Sequence, residues 1–256
     1  MPDNVVVLAS ISQNTNLTLI ENNLLKFPSE SWDCLALQWQ RHSNEARLRQ
    51  FLRPRCDVSV SSYRARWGDL VNWSRPLLQQ RAYKRIFLLL DDVELVDFDI
   101  GNLVDKLSRN PNFGVISPRV VHATHSFMEK RFSTKNDIQE VSAAEQYAIL
   151  YTRNAWECMS RIMDSDVLGT GGGIVGWGFD VCYRPLCARE AGRVGIVQSM
   201  RARHTGAKGA LYTFYQQSGP ATRQMKKMRT FVKTRQIAAG LKPTGCESYH
   251  SINRLQ

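Results

Sequence analysis

Short apolar runs rich in β-branched residues recur through the first half of the chain: Val5 to Ala9, Cys34 to Leu37, Asp57 to Val60, Ile86 to Leu90 and Gly114 to Ile116. Runs this short, with polar residues at their ends, predict buried strands. Between them apolar residues return at helical spacing. Leu17, Leu19 and Ile20 lead to Leu24 and Leu25; Leu70 and Val71 lead to Leu77 and Leu78; Ile100, Leu103, Val104 and Leu107 form a third set. Pro76 has no N–H to donate and crowds the preceding turn, so it kinks or ends the middle helix. Strand and helix alternating in this order predict an α/β fold, Rossmann-like, with a mostly parallel central sheet flanked by helices. Ligands of such sheets bind beyond the carboxyl ends of the strands.

The second half has a different texture. Residues 121–142 are polar and irregular, a helical stretch runs from Asn154 to Met163, and a glycine-rich segment leads into "GTGGGIVGWGFD". Strands return at Val194 to Val197 and Ser199 to His204. From Ala221 to Ile237 the pattern is that of a basic amphipathic helix, with Met225, Met228 and Val232 on one side and Lys226, Lys227, Arg229, Lys233 and Arg235 mostly elsewhere. Such a helix either packs on the domain or makes peripheral contact with an anionic membrane. The parse is a domain over residues 1–210 and a basic helical extension over 211–256.

Composition narrows the partners. The chain has 256 residues and a hydrophobic content of 43%, enough for a sizeable core. Lys and Arg number 34 against 23 Asp and Glu, a formal charge of +11 that favours anionic partners. No nucleic-acid motif accompanies that charge, so no specific nucleic-acid partner is expected. Cys34, Cys56, Cys158, Cys182, Cys187 and Cys246 are scattered without a CxxC pair, which reads as six reduced thiols. The first residues carry no basic segment before a long apolar run, and no stretch is long enough for a membrane span; a soluble, cytoplasmic chain is expected.

Against that basic background the segment "FLLLDDVELVDFDI" (87–100) gathers acid directly behind an apolar strand. Asp91 and Asp92 fall at the carboxyl end of that strand, where ligands bind. Asp97 and Asp99 precede the Ile100 helix, where a carboxylate can cap free N–H groups. A cation such as Mn²⁺ or Mg²⁺ takes oxygen ligands and is commonly held by one or two carboxylates plus substrate phosphates, a role open to Asp91 and Asp92. Other motifs lack their context. Gly171, Gly173 and Gly176 match GxGxxG but follow no clear strand. His122 and His125 have no partner ligands nearby, and neither a GxSxG elbow nor a Walker A loop is present.

The order of these pieces resembles the GT-A glycosyltransferases: an apolar strand ending in clustered aspartates, then "GWGFD" (176–180), then "VGIVQSMRARH" (194–204). More narrowly the chain is similar to a eukaryotic domain family known as lysine-ketoglutarate reductase trans-splicing related. The segments that carry this likeness are "KFPSESWDCLALQW" (26–39), "RIFLLLDDVELVDFDIGNLV" (85–104), "ISPRV" (116–120), "EQYAILYTRNAW" (145–156), "GWGFD" and "VGIVQS". The resemblance implies a D-x-D motif at Leu90, Asp91 and Asp92, its first carboxylate replaced by leucine. Asp92 becomes the principal metal ligand with Asp91 assisting, and His204 matches a further metal ligand of many such enzymes. Asp180 matches the general base of inverting members, and it would also sit at the start of a helix beginning at Val181. Glu145, on a strand before the "NAW" helix, would orient an acceptor hydroxyl, and Trp177 would offer a flat surface to a sugar ring. Arg64 and Arg66 would approach the nucleotide diphosphate. The implied activity is transfer of a sugar from a nucleotide diphosphate, UDP being the commonest, to a hydroxyl of a glycan or other acceptor. Two rivals stand beside it: a polyanion-binding module using the basic helix, and a catalytically silent GT-A relative, for which Leu90 is the motive.

Overall fold

The computed structural model describes residues 2–38, 41–60, 74–75, 78, 80–123, 128–130, 137–163, 179–205 and 219–246. Among these, nine strands form one sheet in the order β3-β2-β1-β4-β8-β6-β9-β5, with β7 also paired to β9. In chain order the elements are β1 (Asn4–Ile11), α1 (Leu17–Leu24), β2 (Trp32–Gln38), α2 (Glu45–Leu52), β3 (Asp57–Val60), β4 (Arg85–Leu90), β5 (Val93–Leu95) and α3 (Ile100–Arg109). There follow β6 (Phe113–Val121), β7 (Ile138–Val141), β8 (Ala148–Thr152), α4 (Arg153–Met163), α5 (Phe179–Ala191), β9 (Arg193–His204) and α6 (Gly219–Ala238). Strands β1 to β4 run parallel, and β6 and β9 are parallel to each other, whereas β8 is antiparallel to both β4 and β6. The mostly parallel sheet expected from the alternation is present.

The unbroken apolar runs have a simple cause. Val5 to Ala9 and Ile86 to Leu89 are buried on both faces because helices cover both sides of a parallel sheet, so no position is left for a polar residue. The helices open on side-chain caps: Asn16 accepts from Leu19 N, Asn44 from Arg47 N and Asp99 from Asn102 N. Asp97 does not cap. It pairs with Arg201 of β9 at 2.8 Å, and its carbonyl accepts from Arg201 N, so the strand beyond the turn claims it first.

Several expectations change. The two strands read at Val194 to Val197 and Ser199 to His204 are one long strand, β9, with an irregular register opposite Pro118 and Arg119. Strand β7 lies within the stretch read as irregular, and the three-residue β5 is too short for a periodicity to register. The helix expected around Leu70 to Leu78 lies mostly outside the described residues; Ser74, Arg75 and Leu78 are helical.

The largest correction concerns cysteine. All six are paired: Cys34–Cys56, Cys158–Cys187 and Cys182–Cys246, with Cα separations of 4.4, 5.8 and 4.3 Å. The partners are 22, 29 and 64 residues apart, and only tertiary packing brings them together. The first joins β2 to the entry of β3, the second ties α4 to α5, and the third ties α5 to the segment after α6.

Helix α6 uses its apolar side internally. Met228 and Val232 are fully buried, and Gln236 one turn on donates to Pro185 O of α5 while accepting from Gly245 N. The extension therefore packs on α5, and Met228 and Val232 are not available to a membrane. No helix among the described residues is long and apolar enough to cross one. At the other end of α5, Gly192 has φ +90° and its backbone passes directly against Gly114 of β6; a Cβ on Gly114 would lie 1.7 Å from Ala191 O. This close approach seats α5, and with it Asp180, against the sheet.

Candidate functional site

The site is assembled at the carboxyl end of β4. Leu90 ends the strand, half-buried against the core, with its N–H donated to Tyr147 O. Asp91 and Asp92 form the turn, and β5 then runs antiparallel along the end of β9, with Val93 opposite His204 and Leu95 opposite Ala202. That short return lays Asp92 beside His204. Among the described residues the other edge of β5 has no strand beside it. Buried Asn23 of α1 takes that place, its Nδ2 donating to Val93 O at 2.6 Å and its Oδ1 accepting from Leu95 N at 2.9 Å. One side-chain amide thus satisfies two backbone groups that would otherwise be buried without partners. On the far side, Thr205 N and Oγ both donate to Asp92 O, at 2.8 and 2.7 Å.

Asp92 and His204 are in direct contact, Oδ2 to Nε2 at 2.9 Å. The other carboxylate oxygen, Oδ1, is buried and accepts no hydrogen bond. A buried anionic oxygen without a donor is costly unless a ligand or ion meets it. The His204 ring lies against Tyr147, centroids 4.7 Å apart, and its Nδ1 is 3.3 Å from His122 O. His122 itself has φ +62°, a left-handed backbone uncommon outside glycine, at the end of β6. Burial, the largest influence on His204, disfavours its charge, but the hydrogen bond and charge of Asp92 outweigh burial and raise the pKa. An Nδ1–H donated to a carbonyl is also the arrangement that directs the Nε2 lone pair at a metal.

Asp91 points elsewhere. Its carboxylate accepts from the Thr15 hydroxyl, in the loop between β1 and α1. The Thr15 carbonyl is 3.0 Å from His42 Nε2, while His42 Nδ1 accepts from Asn44 N at 2.9 Å. With Nδ1 accepting from Asn44, Nε2 is the nitrogen that faces the Thr15 carbonyl as donor. The loops following β1, β2 and β4 are thereby linked across the crevice.

These donors fit a divalent cation of the Mn²⁺ or Mg²⁺ type. Among the described residues no group of three His, Cys, Asp or Glu converges on a metal position. Asp92 and His204 would supply two ligands, leaving the others to water and to phosphate oxygens of a bound nucleotide, as hard cations commonly require.

Asp180 sits in the first turn of α5 and is buried. The helix starts at Phe179, two residues earlier than the Val181 the sequence suggests. The Tyr151 phenol of β8 is pushed well up, by burial first and then by neighbours that include the Asp180 charge, and its hydroxyl donates to Gln146 Oε1 at 2.5 Å. Glu145 is buried in the loop before β8, not on the strand, because β8 begins only at Ala148. From this loop Tyr147 packs on His204, and Gln146 reaches Tyr151 beside Asp180. Trp177, Arg64 and Arg66 lie outside the described residues, as do Gly171, Gly173, Gly176 and His125.

Thr15, Asn23 and Tyr147 escaped the sequence reading. Thr15 had a usable signal: a polar cluster, "SQNTN", directly after a buried strand marks the same crevice edge as Asp91. Asn23 had a fainter one, a polar residue within an apolar helical stripe.

No protein-family model matches this sequence, and no curated protein matches it. Solved structures do match in fold. GalNAc-T7 with UDP, GalNAc and Mn²⁺ aligns over 98% of this chain and 55% of its own length, with a TM-score of 0.54 and 13% identity. TarS of S. aureus aligns over 93% of this chain and 44% of its own, with a TM-score of 0.53 and 12% identity. TarS 1–349 in complex with UDP-GlcNAc aligns over 93% of this chain, with a TM-score of 0.52 and 12% identity. The chain spans about half the length of the first two. At this identity the likeness is one of architecture: the chain has the mixed α/β GT-A fold of these structures.

Proposed function

We propose that this chain is a metal-dependent, inverting glycosyltransferase that moves a sugar from a UDP-sugar to a hydroxyl of a glycan or similar acceptor. The observation that carries the reading is the Asp92–His204 pair at the carboxyl end of β4, with a buried carboxylate oxygen still lacking a partner. The fold supports the nucleotide-sugar class, and GalNAc-T7 holds UDP and Mn²⁺ within the same architecture. Residues 1–210 form the donor-binding and catalytic unit in this proposal, with 211–256 as its extension. The narrower likeness to the lysine-ketoglutarate reductase trans-splicing related family rests on the sequence segments alone.

Asp92 and His204 would hold Mn²⁺ or Mg²⁺, and a divalent cation there would offset the charge that develops on a departing diphosphate. Asp91, through Thr15, orders the loop after β1 at the nucleotide side of the crevice. Arg64 and Arg66 contribute positive charge toward the diphosphate. Glu145 orients the acceptor and Trp177 stacks on a sugar. Asp180 takes the proton of the acceptor hydroxyl as that oxygen bonds to the anomeric carbon. The bond from that carbon to the diphosphate oxygen breaks on the opposite face, UDP leaves with the electron pair, and the configuration inverts. Leu90 in place of a first acidic residue leaves the metal to Asp92 and His204, and its side chain is already committed to the core.

The three disulfides bear on location. Disulfides persist in oxidising compartments and are rare where thiol reductants are abundant. We therefore place the working protein in an oxidising compartment, in departure from the cytoplasmic expectation.

The test is calorimetric titration of UDP with Mn²⁺ into the wild type, Asp92→Asn and His204→Ala. Asp92→Asn is expected to lose Mn²⁺-dependent binding with its folded far-UV spectrum unchanged, because charge is removed from the ion and not from the core. His204→Ala should weaken binding less, since imidazole supplies a ligand without charge. Equal affinity in wild type and Asp92→Asn would remove the pair from the donor site.

A further inference from the structure

Residues 191–246 contain 11 of the 34 Lys and Arg and none of the 23 Asp and Glu, so the chain's whole formal charge of +11 resides in this segment. The arginines of β9 in it are neutralised locally: Arg193 pairs with Glu140, Arg201 with Asp97 and Arg203 with Glu94. Helix α6 is different. Its buried stripe runs through Met228, Val232 and Gln236, which turns Lys226, Arg229 and Lys233 onto one exposed flank at i, i+3 and i+7 spacing. Among the described residues none of these three has an ion-pair partner. Over seven residues the strip is about 10 Å long. It is also firmly held, since Gln236 bonds to Pro185 and Gly245, and Cys246 is tied to Cys182 of α5.

We propose that this flank of α6 is a docking strip for a linear acidic polysaccharide. A line of unpaired cations on a rigid helix matches the regularly spaced charges of such a chain. The buried apolar stripe removes the insertion that lets an amphipathic helix hold a membrane. The disulfides place the protein where nucleic acid is not the prevailing polyanion. Because α6 packs on α5, whose first turn carries Asp180, a chain held on the strip can extend toward the transfer site. That the bound polysaccharide is the acceptor rests on the proposed transferase function; the binding itself does not.

The experiment compares two triple variants with the same loss of charge. One is Lys226→Gln with Arg229→Gln and Lys233→Gln; the other is Lys84→Gln with Arg109→Gln and Arg153→Gln, three cations that already have acidic partners. Binding to a heparin decasaccharide is measured over a range of salt, alongside a thymidine 20-mer and phosphatidylserine vesicles. The strip variant is expected to lower the slope of log affinity against log salt by about 3, one for each cation that meets the polyanion. The control should change it by less than about 1 on the same principle. Equal losses in both variants would overturn the strip, and so would strip-dependent binding confined to the oligonucleotide or the vesicles. UDP and Mn²⁺ binding should be the same in both variants. If UDP fails to bind even the wild type while decasaccharide binding depends on the strip, the transferase reading falls and the docking strip stands.

Discussion

Replacing Asn23 tests how the site is held without touching any group that meets a ligand. Its amide is the only described partner of Val93 O and Leu95 N on the open edge of β5, and it is 1% exposed. Leucine has the same number and branching of side-chain heavy atoms but makes neither hydrogen bond, so Asn23→Leu leaves a buried carbonyl and a buried N–H unpaired. At roughly 1–3 kcal/mol for each of the two orphaned groups, the cost is about 2–6 kcal/mol. For a domain of this size that lowers Tm by roughly 4–24 °C, at about 2–4 °C per kcal/mol. Because β5 returns the chain along β9 and sets Asp92 beside His204, UDP–Mn²⁺ affinity should fall with it. Asn23→Asp sharpens the test. An ionised aspartate still accepts from Leu95 N but turns a second negative oxygen on Val93 O, whereas a protonated one can donate to it. Its Tm deficit relative to wild type should therefore shrink as pH is lowered from 7 toward 4. Differential scanning calorimetry of the three proteins across this range is the assay. A Tm of Asn23→Leu within about 2 °C of wild type, below the shift expected for even one lost kilocalorie, would show that the amide does not hold β5.

Two further outcomes follow from other residues. Asp180→Asn should keep UDP–Mn²⁺ affinity but slow transfer by roughly a hundred- to ten-thousandfold, the range of acid–base catalysis, with the product anomer of the wild-type enzyme opposite to the donor's by NMR; a retained anomer would rule out single-step attack assisted by Asp180. Asp137 links β7 to Lys106 of α3 and Ser199 of β9; burial pushes its pKa up, but those bonds reverse this and hold it below the ordinary carboxylate value. A depressed pKa means stability present above the unfolded value, near 3.9, and lost as pH falls through the folded one, so Asp137→Asn should lower Tm at pH 7 and flatten the fall of Tm below about pH 4. Parallel Tm–pH curves for the two proteins would count against that linkage.

The apolar code of the chain is local, and so was its message. Val5 to Ala9 and Ile86 to Leu90 announce strands buried on both faces, and the helical stripes between them announce crossovers; together they dictate a mostly parallel sheet whose ligand edge lies at the carboxyl ends. The place of Asp91 and Asp92 at that edge follows from the same pattern, as does the cap at Asp99. Spacing carries no information about groups brought together from distant segments. Asp92 meets His204 across 112 residues because β5 folds back along β9, Asn23 reaches β5 from α1 across 70, and each disulfide joins separate elements. The two neighbouring aspartates look alike in the sequence, yet the turn aims one at Thr15 and the other at His204. Met228 and Val232 read equally well as a membrane face or a packing face, and only the presence of α5 beneath them decides the matter. Residue type and period determine which surfaces must be buried; which partner buries them, and which polar groups are left to face a ligand, is decided by the tertiary arrangement of strands and helices.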